Sequence, residues 1–224
     1  VRPKEYSTEE LIAELRARKN KIARESAESW DRDGDEGIIV GCTGGNTFRA
    51  FAHMPEPPSE VFRDWARRRT GRAGFARELA KFAYQREFDR WHAAFCGDFC
   101  RYWLHRMGRH INFGPGRKLP NLLLEGLTNW NELTLTSRRQ LIRFTHLPLD
   151  GFILGALRNC IPDFRKEAAE IGRRIPYGAT MSYVNNQSVY DAVQRVARGI
   201  ATKAGTPPIY LDKLIYGGQH PDLE

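Results

Sequence analysis

The chain has 224 residues, 41% of them hydrophobic and 28% charged, and its 35 Lys and Arg outnumber 27 Asp and Glu to give +8 at pH 7. This composition excludes wholesale disorder and a collagen-like repeat, and the length is ample for a core without disulfide support. Excess positive charge makes a polyanion the first partner to consider.

No apolar run approaches the ~18 residues of a membrane span, so no membrane partner is expected. The opening Val1-Arg2-Pro3-Lys4-Glu5 lacks the hydrophobic run of a secretory leader. Cys42, Cys96, Cys100 and Cys160 do not make a disulfide framework. A reducing, cytoplasmic location is therefore expected.

The first helix is announced by Ser7-Thr8-Glu9-Glu10, a capping box, and carries Leu11, Ile12, Leu15 and Ile22 as a loose apolar stripe. The acidic run Asp31–Gly37 ends it. A calcium loop needs more length and a bidentate Glu at its end, so a solvated turn is expected there. Ile38–Met54 is the stretch with strand character. Ile38-Ile39-Val40 is β-branched, Thr47–Phe51 alternates, and Gly41, Gly44 and Gly45 punctuate it. A minor β-hairpin or a Gly-rich loop fits; the segment lacks the Lys-Ser/Thr ending of a phosphate loop.

Pro55–Pro58 breaks the chain, and helical patterns dominate beyond it. Ser59–Arg69 is short and amphipathic. Phe75–Met107 places Leu79, Phe82, Phe88, Trp91, Phe95, Phe99, Tyr102 and Trp103 at helical spacing. Gly97-Asp98 is expected to kink or split this helix, with Asp98 as a cap. Further helices are expected near Leu119–Leu127, Ser137–Phe144, Gly151–Asn159, Phe164–Ile171, Val189–Lys203 and Ile209–Tyr216. The fold class is all-α with a minor β-hairpin near the N-terminus. It is read as a single unit, with residues 1–58 the helix plus hairpin and 59–224 the helical body.

The segment that carries chemistry is Phe113-Gly114-Pro115-Gly116-Arg117-Lys118-Leu119-Pro120-Asn121. It reads as a tight Gly-x-Gly turn opening a helix, whose successive N–H groups would cradle a phosphate oxygen. Lys118 sits where turn becomes helix. With Pro148-Leu149-Asp150-Gly151-Phe152 further on, the chain resembles the helix-hairpin-helix DNA glycosylases, the superfamily that includes endonuclease III. The match lies at Gly114, Gly116, Arg117, Lys118 and Asn121, and the resemblance spans roughly residues 99–160. It implies that Lys118 is the Schiff-base lysine, Asp150 the catalytic aspartate, and Gly114, Gly116 and Arg117 the DNA-binding residues.

The chain departs from that pattern in several places. An insertion around Thr128–Ser137 lengthens the interval between Lys118 and Asp150. Leu119-Pro120 replaces Thr-Ala, and Gly151-Phe152 replaces the small polar residue and His that follow the aspartate. No cysteine cluster follows Asp150, so no iron–sulfur cofactor is expected, and none of another kind. Divergent relatives without a cluster, including archaeal 8-oxoguanine glycosylases and proteins tied to hypermodified phage DNA, are also similar.

Other features are read as structural. His92, Cys96 and Cys100 share one helix stripe, but without a CxxC pair and among Phe and Trp they read as core rather than zinc ligands. Ile175–Tyr183 resembles a segment of the alkylguanine-DNA alkyltransferases, yet no cysteine follows Cys160, so alkyl transfer is rejected. The tyrosines could still line a groove. Arg63, Arg67, Arg68, Arg69 and Arg72 form a basic run, a solvated face or a phosphate contact. Tyr102, Trp103, His146 and Phe152 are candidates for a base pocket, since glycosylase pockets often use aromatic walls.

The expected activity is that of a DNA glycosylase on double-stranded DNA carrying a modified base. It flips the base and cleaves the N-glycosidic bond, with lysine-dependent lyase chemistry, in repair or in defence against modified phage DNA. No obligatory protein partner is implied. The alternatives are a non-catalytic helix-hairpin-helix DNA-binding protein and an enzyme of DNA base hypermodification.

Overall fold

Helical periodicity beyond Pro58 is realised almost throughout a computed structural model that describes residues 4–28, 34–43, 47–48, 51, 53–172 and 174–217. The helices are α1 (Thr8–Glu28), α2 (Asp35–Gly41), α3 (Pro58–Thr70), α4 (Phe75–Leu79), α5 (Gln85–Met107), α6 (Phe113–Gly126), α7 (Leu135–Phe144), α8 (Gly151–Leu157), α9 (Gln187–Ala204) and α10 (Tyr210–Gly217). Short 3-10 turns punctuate the second half, at Ile161–Phe164, Ala169–Ile171 and Met181–Tyr183. The protein is mainly helical, and no strand occurs among the described residues.

The chain divides into two units. The first comprises Val1–Ser26, Phe113–Lys118 and Thr145–Glu224; the second comprises Ala27–Asn112 and Leu119–Phe144. The polypeptide therefore passes from one to the other inside α6, just after Lys118.

The second unit is built on aromatic packing. Phe62, Trp65, Phe75, Phe88, Phe99 and Trp103 are essentially inaccessible. Trp65 lies 4.8 Å from Phe99 and 5.0 Å from Phe95, ring centre to ring centre, in the tilted geometry that aromatic quadrupoles favour. Here the expected hairpin is corrected. Ile38, Ile39 and Val40 lie on α2, a helix. Asp35 and Glu36 occupy its first turn, where carboxylates complement the helix dipole. Trp130 Nε1 donates to Asp35 Oδ1 at 2.6 Å, and Ile38 and Ile39 are buried. Packing of this apolar face and a fixed first turn override β-propensity. The part of the hairpin at Gly44, Gly45, Arg49 and Ala50 lies outside the described residues, as do Asp31, Arg32 and Asp33 of the acidic run, whose end Asp35–Gly37 opens α2.

The helix expected over Phe75–Met107 is divided, but not at Gly97-Asp98. The break falls at Ala80–Tyr84, and α5 runs unbroken through Gly97-Asp98. Glu87 Oε2 accepts from the backbone N–H groups of Ala83 and Tyr84, and so fixes the start of α5. Asp98 does not cap; its carboxylate accepts from Trp65 Nε1 at 3.0 Å. The insertion after α6 forms the 3-10 turn Leu127–Asn129 and a buried Trp130. Arg138 of α7 is 2% exposed and donates to the carbonyls of Trp130 and Leu133.

The first unit places α9 at its centre. Val193, Val196, Ala197 and Ile200 are buried on one face, which the pattern 193, 196, 197, 200 predicts for a helix packed on one side. Gly199 is required there: a Cβ would stand 2.4 Å from the Phe164 ring. α10 packs on α8 and on α9. Asn186 caps α9 by accepting from Val189 N at 3.0 Å. Thr8, at the start of α1, donates to Asp163 Oδ2 at 2.6 Å.

Candidate functional site

The start of α6 differs from a hairpin turn. Asn112 is the N-cap, and Phe113, Gly114, Pro115 and Gly116 form the first helical turn; the connection from α5 is Gly108–Asn112 instead. Pro120 consequently lies inside the helix rather than in its first turn, where it has no N–H for the Gly116 carbonyl. Gly114 and Gly116 are buried. A Cβ on Gly114 would lie 1.9 Å from the Met181 carbonyl oxygen. That glycine is explained by a close approach of protein backbone, and the predicted phosphate cradle does not face outward at this position.

One turn further on, Lys118 Nζ lies 3.2 Å from Asp150 Oδ2. Thirty-two residues separate the two in sequence. Their side chains are 13% and 10% exposed, so the pair is largely desolvated without being sealed. Asp150 is also the N-cap of α8. Its Oδ1 accepts from Phe152 N at 2.9 Å and from Ile153 N at 3.1 Å. Tyr216 of α10 donates its hydroxyl to Oδ2, and its ring centre lies 5.7 Å from that of Phe152. One carboxylate oxygen is thus fixed by backbone, leaving the other to an ammonium and a phenol. A buried pair of this kind adds little net stability, because desolvation offsets its attraction.

The approach to Asp150 is fixed by α9. Thr145–Asp150 is buried without regular secondary structure between α7 and α8 in the chain, and such a segment needs partners for its backbone. Gln194 supplies them, accepting from Leu147 N at 3.0 Å and donating to Leu147 O at 2.9 Å. His146 Nδ1 meets Tyr190 Oη at 2.9 Å, and Nε2 meets Arg198 at 3.4 Å. Arginine only donates, which assigns Nε2 as acceptor and Nδ1 as the protonated nitrogen. Tyr190, Gln194 and Arg198 follow at i, i+4 and i+8, one stripe of the helix.

Of the predicted site residues, the structure brings Lys118, Asp150 and Phe152 together. Arg117 is held beside them in sequence but turned to the start of α9. It donates to Gln187 Oε1 at 2.7 Å, and its guanidinium lies over the rings of Phe113 and Tyr190. His146 is 4% exposed, engaged through both ring nitrogens rather than lining an open pocket. Tyr102 and Trp103 belong to the second unit. Trp103 is fully buried against Phe51 and Phe99. The Tyr102 hydroxyl donates to Asp64 and accepts from Arg106. A cleft of about 510 Å³ in the second unit, lined by Phe48, Phe51 and the turn His53–Pro58, contains neither Lys118 nor Asp150.

Several of the other sequence candidates have structural partners. His92 is buried with Nε2 2.6 Å from Asn121 Oδ1, and Cys96 packs beside it. Within the arginine run, Arg63 pairs with Glu60, Arg67 with Glu36, Arg68 with Asp64 and Arg69 with Asp98. No group of three or more His, Cys, Asp or Glu with metal-binding geometry occurs among the described residues, and none of their helices is long and apolar enough to cross a membrane. Tyr216, Tyr190, Gln194 and Arg198 were not singled out by motif. The polar stripe 190/194/198 on an otherwise apolar helix face was the readable signal; Tyr216 had none.

No family model, curated protein or solved structure matches the chain.

Proposed function

We propose that the protein is a DNA glycosylase with lysine-dependent lyase chemistry, acting on a modified or damaged base in duplex DNA. The observation that carries this reading is the 3.2 Å approach of Lys118 Nζ to Asp150 Oδ2 in a largely desolvated setting. Supporting it are the order of the glycosylase-like motifs and the +8 charge, which suits backbone-dominated affinity for DNA. The cell interior, where DNA is, is the proposed location.

In this reading the base is extruded from the stack to reach the pair. Lys118 passes its proton to Asp150, and the free amine bonds to C1′ as the C1′–N bond breaks. The electron pair leaves with the base, which takes up a proton. The ring C1′–O4′ bond then opens, O4′ gains a proton, and the nitrogen–carbon bond becomes an imine. Loss of a C2′ proton expels the 3′ phosphate. Tyr216 holds Asp150 Oδ2 in place once Lys118 has left it.

A second reading draws on the same atoms. Asp150 already has four donors, as a structural N-cap with a buried counterion would, and a non-catalytic DNA-binding protein needs nothing more. One experiment separates the two. A labelled duplex with a single abasic site is incubated with the protein and borohydride, which reduces an imine to a stable cross-link. The parent is expected to cross-link and Lys118→Gln to give no adduct; absence of an adduct with the folded parent would overturn the lyase assignment. A panel of modified-base duplexes, read for released base by mass spectrometry, then identifies the target and separates base excision from chemistry on a base substituent.

A further inference from the structure

The segment following the 3-10 turn Ala169–Ile171 is absorbed neither by the core nor by the proposed chemistry. Between Ile171 and Tyr190 the chain contains no Asp or Glu. Pro176, Tyr177, Gly178, Thr180, Ser182 and Asn185 are exposed. Tyr177 is 65% exposed, more than any other large hydrophobic side chain among the described residues. It sits on a turn completed by Gly178, whose φ of +69° is left-handed and favours glycine.

This strap lies across the starts of the two helices that carry the candidate pair. The Met181 and Val184 carbonyls press on Gly114 at the start of α6, where a Cβ would meet them at 1.9 and 3.0 Å. The Ala179 carbonyl stands 3.3 Å from the place of a Cβ on Gly151, the residue after Asp150. The base of the turn is anchored. Arg158 donates Nε to the Ile175 carbonyl at 3.1 Å, and its Nη1 pairs with Glu5 at 3.0 Å. The guanidinium carbon lies 5.6 Å from the Tyr177 ring centre.

We propose that Tyr177 is a DNA-contacting aromatic that enters the base stack beside an extruded nucleotide, with the strap 176–185 as the surface along which that strand lies. The proposal rests on the glycosylase reading and adds the element that grips the duplex. An aromatic ring held outward on an anchored turn avoids most of the ordering cost of stacking. Inserted side chains hold duplex DNA bent and partly unstacked. An acid-free strap of hydroxyl and amide side chains accepts phosphates without repulsion.

The test uses the whole chain as parent, Tyr177→Ala and Tyr177→Phe. Binding is measured by anisotropy on a duplex with a stable abasic-site analogue and on the same duplex intact, with 2-aminopurine next to the abasic position. Tyr177→Ala is expected to weaken abasic-duplex binding about tenfold or more, the loss of one stacked base, and to abolish the fluorescence change seen with the parent. Tyr177→Phe is expected to keep both. Parent-like affinity and fluorescence for Tyr177→Ala, checked as folded by circular dichroism, would overturn the proposal. The borohydride cross-link reads the other claim separately. Cross-linking with indifference to residue 177 overturns the strap alone, whereas Tyr177-dependent binding without a cross-link overturns the lyase and keeps the strap. Failure of the parent to bind either duplex overturns both.

Discussion

Both units bury apolar cores, but each also has a buried feature of its own kind. The second buries rings: Trp65, Phe95, Phe99 and Trp103 pack on one another, while its surface arginines Arg63, Arg67 and Arg68 are matched by nearby carboxylates. The first buries polar groups in a connected arrangement, with Lys118, Asp150 and Tyr216 at one end and His146, Tyr190, Gln194 and Arg198 along α9. Apolar burial is what stabilises a fold. Buried ions and hydrogen-bonded side chains roughly break even and specify a geometry instead. The contrast is therefore between an aromatic cluster that supplies stability and a polar arrangement that holds a few atoms in fixed positions.

The largest expected effect tests the first half of that contrast. Phe99 is fully buried and touches Phe62, Trp65 and Trp103. Phe99→Ala is expected to cost about 3–5 kcal/mol, the usual toll of removing a core ring and leaving a cavity, measured by urea unfolding. A loss below about 1 kcal/mol would show that the aromatic cluster is loosely packed. Next comes Asp150→Asn, which keeps an oxygen for the α8 cap but leaves Lys118 without its counterion. A loss of about 3 kcal/mol is expected, together with loss of the borohydride cross-link. An unchanged cross-link would remove the carboxylate from the proposed chemistry while leaving its capping role.

How much of this was readable follows the same division. The aromatic spacing from Phe88 to Trp103 stated a buried helix outright, because a 3.6-residue period is a local property. The β-branched triplet at Ile38 misled, since its helical state depends on Trp130 and on packing by residues remote in sequence. The Gly97-Asp98 break misled for a related reason: Asp98 is satisfied by Trp65 rather than by a helix end. Lys118 and Asp150 were picked from motif order alone, and their convergence is a tertiary fact. The role of Gly114 was legible as a need for glycine, but not as a need imposed by the Met181 carbonyl. Tyr216 was invisible, being an ordinary helical tyrosine until α10 docks on α8.

A smaller effect sharpens the positioning role of α9. Gln194→Leu preserves volume but orphans the Leu147 N–H and C=O. About 2 kcal/mol of stability should be lost, since each unmet buried polar group costs about 1–3 kcal/mol. The informative readout is the cross-link: if Thr145–Leu149 aims Asp150, its rate should fall even at temperatures where the variant is fully folded. An unaffected rate would make Gln194 a purely structural residue.

The smallest effect lies on the surface of the second unit, where charge rather than burial decides. Asp64 is held below the ordinary carboxylate range, first by the Tyr102 hydroxyl and then by Arg68 and Arg106. Glu56 is lowered by its hydrogen bonds from Arg106. A carboxyl lowered in the folded state contributes stability above its unfolded pKa, and that contribution disappears as pH falls through the folded value. The acid limb of thermal stability should therefore open in the ordinary carboxylate range and run on down to the lowered values of these groups. Tyr102→Phe removes the leading cause for Asp64 without disturbing the ring, so the decline should finish at a higher pH, while stability near neutrality changes little because an exposed pair is weak and screened. In the parent, high salt should narrow the acid limb by screening Arg68 and Arg106, leaving the part carried by the Tyr102 hydrogen bond. If Tyr102→Phe leaves the acid limb where it was, the Glu56–Asp64–Arg106 cluster is not a thermodynamic element of this unit.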